Sequence, residues 1–163
     1  MIKKTLTYDD VLLVPRYSDI HSRKEIDVTN SLDKNLALRL PIIASPMDTV
    51  SGFQMASIMS KLGALAVIHR YMDVAKQVEI VSDLKDETGS IIGAAIGTGR
   101  DNVIRATCLA QAGVDVLCVD VAHGHHIAVK EIIEDLRSLS NFDNVHIMAG
   151  NVATLQGVND LAD

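Results

Sequence analysis

Tryptophan is absent, and aromatic residues make up only 3% of the chain. That leaves no row of rings on which single-stranded nucleic acid could stack. An excess of positive charge is also missing: 15 Lys and Arg face 21 Asp and Glu, a formal net charge of −6. A phosphate-backbone binder would normally be basic. The two cysteines, Cys108 and Cys118, form no CxxC pair, so no disulfide framework is indicated. No apolar run approaches the roughly 18 residues of a membrane-crossing helix. The opening Met1–Asp10 lacks the apolar segment of a secretory signal. The expectation is a cytoplasmic α/β protein with no nucleic-acid or membrane partner. What the chain does have is 48% hydrophobic residues in 163 positions, enough for the core of about one domain.

Those residues fall into two patterns. Five short runs lack polar alternation: Pro41–Ser45, Ala64–Ile68, Ile91–Ile96, Val114–Val119 and Val145–Ala149. Such runs suit parallel strands covered on both faces. Between them lie stripes at helical spacing. Met55, Ile58, Met59 and Leu62 form the first, with Ser51 and Gln54 at capping-box spacing and Gly63 as the stop. Val74, Val78, Val81 and Leu84 form the second, behind Asp73 as N-cap. Ile104, Cys108, Leu109 and Ala112 form the third, stopped by Gly113. Val129, Ile132, Ile133 and Leu136 form the fourth, and Thr154 opens a fifth that runs to Asp163.

Strict strand–helix alternation means a parallel sheet with right-handed crossovers. A step of roughly 25 residues suits a (β/α)₈ barrel, and an open doubly wound sheet has similar periodicity. Residues 1–40 read differently: Pro15, mixed charges and Asn30–Asn35 suggest an extended arm with a short hairpin. The organisation is thus an arm (1–40) and a strand–helix domain (41–163). Five units are countable where a closed barrel needs eight.

Several segments together resemble the IMP dehydrogenase/GMP reductase family. Leu6–Pro15 is similar to its opening arm and Leu40–Val50 to its first barrel strand and loop. Ile68-His69-Arg70, Gly93–Gly97, Ala112–Val116 leading to Asp120–His125, and Ala149–Thr154 are similar to strands two to five. The resemblance covers nearly the whole chain. It implies a partial (β/α)₈ TIM barrel holding the first five units, and a nicotinamide cofactor, NAD or NADP, acting on a purine mononucleotide, IMP or GMP. In the family a cysteine on a Gly-Ser-x-Cys loop after the sixth strand attacks C2 of IMP, and the thioimidate left after hydride transfer is hydrolysed to XMP. Cys108 in a helix stripe and Cys118 in a strand do not match that position. The expectation is therefore a truncated or split dehydrogenase, with GMP reductase, or a non-catalytic nucleotide-binding or assembly fragment, as alternatives. Gln77-Val78, Gly93–Gly97 and His123–His125 look more like dehydrogenases, while Ser22–Glu25 looks more like reductases. Many dehydrogenases insert a regulatory CBS pair after the second helix, where only Asp83–Ser90 stands here.

The resemblance also assigns residues. Ser45, Met47 and Asn151 would contact the substrate nucleotide, against bland readings as core filling (Met47) and a turn residue (Asn151). Asp120, followed by Val121 and Ala122, would contact the cofactor; a carboxylate at a strand end can accept both hydroxyls of a ribose. Arg70 replaces a family lysine near the reacting base and is the one auxiliary catalytic candidate. It keeps the charge but is a poor proton donor, and a structural ion pair is the rival reading. His123, His125 and His126 lack a third ligand beside them, so no metal site is assigned. Gly97-Thr98-Gly99 fails the dinucleotide fingerprint at Asn102. A monovalent cation and a homotetramer are implied only for the complete enzyme. For this chain, open sheet edges imply either a complementary half-barrel chain or self-association.

Overall fold

In a computed structural model, residues 5–162 are described. The expected start at Met1–Lys4 and the helix end at Asp163 lie outside them. Residues 5–29 run extended apart from two short 3₁₀ turns, Tyr8–Asp10 and Arg23–Glu25. The hairpin follows as β1 (Asn30–Asp33) and β2 (Leu36–Leu38), paired antiparallel.

Five parallel strands come next: β3 (Ile43–Ala44), β4 (Leu65–Ile68), β5 (Gly93–Ile96), β6 (Val116–Asp120) and β7 (His146–Gly150). They pair in sequence order, β3-β4-β5-β6-β7. Five helices alternate with them: α1 (Phe53–Leu62), α2 (Val74–Thr88), α3 (Arg100–Gln111), α4 (Ile127–Arg137) and α5 (Leu155–Ala162). In-order parallel pairing is barrel topology, since a doubly wound sheet reverses its strand order. The sheet is the curled half of a TIM barrel, flanked by helices.

The two faces of the sheet bury different sets. Ala66, Ile68, Ala94, Ile96, Leu117 and Val119 pack outward against the helices. Leu65, Val67, Ala95, Val116 and Cys118 point inward, where Leu36 and Leu38 of β2 meet them. The hairpin thus plugs the concave face. It is tied there by Asp33 on His146, 2.7 Å at the foot of β7. Nearby, Asp115 accepts from the Ile92 amide and pairs with Lys85 at 2.9 Å.

Helix ends follow local chemistry. Asp73 caps α2 by accepting from the Lys76 amide, and Gly63 and Gly89 end α1 and α2 in the left-handed region. Residues 83–88, expected as part of the link after the second helix, are the last turns of α2, so a four-residue connection reaches β5. Three other details depart from the expected pattern. Gly52, not Ser51, caps α1, because the Ser51 hydroxyl donates to the Ser45 carbonyl instead. In α1 the buried residues are Ala56, Ser57, Met59 and Ser60, while Met55, Ile58 and Leu62 stay exposed. In α3, Ala106 and Leu109 are buried and Ile104 is 62% exposed.

The sheet edges differ from its centre. Every residue of β4 and β5 is buried, whereas all five of β7 are half-buried and β3 is exposed or half-buried. Among the described residues no further strand pairs with β3 or β7.

Candidate functional site

Five strand ends converge at the C-terminal rim, the face where barrel loops carry chemistry. The loop after β3 is a tight turn. The Ser45 carbonyl accepts the Met47 amide at 2.8 Å, and the Met47 carbonyl accepts the Ser51 amide at 2.9 Å. Ser51 then binds across to β4 by accepting the His69 amide. After β6 and β7 the chain stays in ladder register: Val121 donates to the Gly150 carbonyl at 3.0 Å and Asn151 donates back to Val121 at 2.8 Å.

This geometry brings Ser45, Met47, Asp120 and Asn151 to one cleft of about 480 Å³, with Pro46, Asp48 and Tyr71 completing its lining. Asp120 is half-buried, and among the described residues its carboxylate has no ion pair. Its charge adds to the effect of burial on Cys118, one turn of pleat below, whose thiol is pushed up to about 11. Burial is the larger cause. A thiol held protonated is a poor nucleophile, so Cys118 is packing rather than chemistry.

Arg70 does not line the cleft. It lies under the rim, where Nη2 reaches the Asp120 carbonyl at 3.4 Å. Gly97 makes room for it: a Cβ there would stand 3.2 Å from Arg70 Nη1. Among the described residues Arg70 has no carboxylate partner, and its buried Nε lacks any hydrogen-bond partner, which argues against the ion-pair reading. Val121 and Ala122 are not part of the lining either; Val121 packs toward the helix-side core. His126 caps α4 with Nδ1 accepting from the Ala128 amide, and His125 pairs with Asp160 at 2.8 Å. The described residues hold no cluster of three or more metal-ligating side chains.

Asn151 owes its place to Gly124. The Gly124 amide donates to the Asn151 carbonyl, and a Cβ on Gly124 would meet that oxygen and the Gly150 carbonyl carbon at 2.8 Å. Backbone cannot yield as a side-chain tip can. Gly124→Ala should cost about 1–3 kcal/mol by overpacking and displace Asn151, read as a lower urea midpoint and shifted Asn151 amide resonances. An alanine variant of unchanged stability would contradict the contact.

Pro46, Asp48 and Tyr71 are cleft residues without a sequence assignment, and Tyr71 is the aromatic one among them. The available signal was an aromatic directly after a strand-end His-Arg in a chain with three tyrosines. A depression of similar size, about 490 Å³, lies at the hairpin end between α1 and α2. Its charges are engaged: Lys61 pairs with Glu87 at 2.6 Å, and Arg39 donates to the Lys61 carbonyl.

Comparison with known proteins points to one family. Residues 5–163 match the IMP dehydrogenase / GMP reductase domain. The chain is 32% identical to inosine-5'-monophosphate dehydrogenase of Cryptosporidium parvum, over 99% of this chain and 50% of that protein. It is 33% identical to GMP reductase 2 of Homo sapiens, over 96% of this chain and 46% of that one. The dehydrogenase of Aquifex aeolicus is 25% identical over 289 aligned positions, longer than this chain, and 58% of that protein is covered. The chain therefore spans about half the length of the curated relatives it matches. It belongs to the IMP dehydrogenase/GMP reductase family.

Proposed function

We propose that this chain supplies one wall of the nucleotide site of a purine nucleotide oxidoreductase of the IMP dehydrogenase type, oxidising IMP with NAD to XMP. The observation that carries this reading is the gathering of Ser45, Met47, Asp120 and Asn151 around one rim cleft in a chain of this family. The overall change removes a hydride from C2 of IMP and adds the oxygen of water there, releasing one proton.

A nicotinamide group fits the residues present. Asp120 is a carboxylate without an ion pair among the described residues, at a strand end, placed to accept two ribose hydroxyls. NAD, when bound, supplies the hydride acceptor. The chain's own residues bind and orient: Asn151 and Ser45 offer hydrogen-bonding groups, Met47 an apolar contact, and Arg70 a fixed positive charge beneath the rim. The attacking thiol is assigned to neither Cys108 nor the buried Cys118.

The same geometry supports a partner along the open edges. Two strand edges lack neighbours among the described residues, and the Met55–Ile58–Leu62 flank of α1 is open. The occupant we infer is a segment of three further strand–helix units, which would close eight strands and would correspond to the part of the longer relatives that this chain does not cover. Two copies of this chain would bring ten.

GMP reductase is the second reading. The human reductase aligns over 162 positions, close to this chain's own length, where the Aquifex dehydrogenase aligns over 289. The test mixes this chain with the unmatched second half of the Cryptosporidium enzyme. NADH formation from IMP, abolished by Asp120→Asn, is the expected result. NADPH consumption with GMP instead would select the reductase, and no turnover with either substrate would overturn both.

A further inference from the structure

The geometry points to Tyr71 as the platform on which the planar heterocycle of a nucleotide stacks, an inference that rests on the reading of this cleft as a nucleotide site. Tyr71 is 62% exposed and lines the cleft beside Asp120 and Asn151. No other aromatic side chain is among the lining residues.

The ring is held rather than loose. Its backbone amide donates to His69 Nδ1 at 3.3 Å, and the two rings lie 23° from parallel with centroids 6.2 Å apart. The Arg70 guanidinium carbon stands 5.6 Å from the Tyr71 centroid, within cation–π range. Arg70 is itself fixed on the Asp120 carbonyl, and the His69 carbonyl on the buried Gln77 amide. A ring ordered before binding loses little freedom when a ligand stacks on it.

Charge decides which end of a nucleotide meets this wall. Asp48 and Asp120 both line the cleft, so two carboxylates repel a phosphate there. The wall offers a π-face for a base, an acceptor pair for ribose hydroxyls at Asp120, and an amide at Asn151. A nucleoside presents that set with its phosphate turned outward. Purine mononucleotides and nicotinamide dinucleotides share the chemistry, and the choice between them is left to the titration.

The experiment uses the full chain carrying ring-labelled tyrosine, titrated with IMP, GMP, NAD and NADP, and with ribose 5-phosphate as the control that lacks a base. Tyr71 is assigned by Tyr71→Phe. At least one base-bearing ligand should shift the Tyr71 ring signals, and ribose 5-phosphate should not. Tyr71→Phe should bind within about twofold of the native chain, whereas Tyr71→Leu should bind roughly fivefold to a hundredfold more weakly. A folded Tyr71→Leu chain that binds like the native one, while Asp120→Asn weakens binding, would overturn the platform and leave the nucleotide site standing. Failure of every base-bearing ligand to bind the lone chain would overturn the platform, while turnover of IMP or GMP in the mixed assembly would still leave the nucleotide site standing.

Discussion

Leucine in place of Gln77 is expected to lower the stability of the chain by about 3 kcal/mol, read as a shift of the urea midpoint at unchanged slope. Gln77 is fully buried on α2. Its amide nitrogen donates to the Ala95 carbonyl at 2.9 Å, the His69 carbonyl at 3.2 Å and the Ile68 carbonyl at 3.3 Å. Its oxygen accepts from Arg105 Nη1 at 2.7 Å, and Arg105 Nη2 donates on to the Met72 carbonyl at 3.0 Å. One side chain therefore joins the C-terminal ends of β4 and β5 and secures a cation. Burial, then the neighbouring charge of Arg70, already pulls the Arg105 pKa down from its ordinary value. Leucine keeps the volume but strands several polar groups, each costing about 1–3 kcal/mol when left unpaired. A loss below about 1 kcal/mol would mean that water takes over these bonds. The same substitution should disturb the His69–Tyr71 segment, so the rim and the fold fail together.

How far the sequence foretold this structure depended on whether its signals were local. The five strands are legible because each is a short, mainly apolar run without polar alternation, a pattern that survives even at β3 and β7, which are less buried, and Asp73 and Gly63 are legible because caps act within one turn. The meeting of Ser45, Asp120 and Asn151 followed from family resemblance and strand order together, since parallel strands put their C-terminal ends on one rim. Ser51 departs from its capping-box spacing because its hydroxyl has two competing uses: accepting a helix amide as a local cap, or donating to the Ser45 carbonyl six residues back, which fastens the rim loop. Tyr71 is not legible from pattern because one exposed aromatic carries no periodicity. The α1 stripe is the most informative miss. Hydrophobic periodicity records every surface that needs cover, whichever chain segment provides it, and here Ser57 and Ser60 took buried places while Ile58 and Leu62 stayed out. Ser57 could be buried because its hydroxyl donates to Glu87 of α2 at 2.9 Å, on the flank of α1 that α2 covers.

That uncovered flank yields the last expectation. Ile58 is 57% exposed and Leu62 51% exposed, so Ile58→Asp should change the stability of the lone chain by no more than about 0.5 kcal/mol, as exposed substitutions do. In the proposed assembly with the second half of a relative, the same aspartate would be enclosed against an apolar helix without a partner. A buried unpaired charge costs several kcal/mol, which is at least about a hundredfold in Kd. Glu79→Lys, on the outward face of α2 where Glu79 is 56% exposed, should leave assembly unchanged. Calorimetric titration of each variant with the partner half measures both effects. Equal affinity for native and Ile58→Asp chains would place the closing helix elsewhere. A homodimer that Ile58→Asp breaks, formed in preference to the mixed complex, would give the α1 flank to a second copy of this chain. The energetic asymmetry makes the test sharp: a charge that water tolerates on the free chain cannot be tolerated once three more strands and their helices close the cylinder over it.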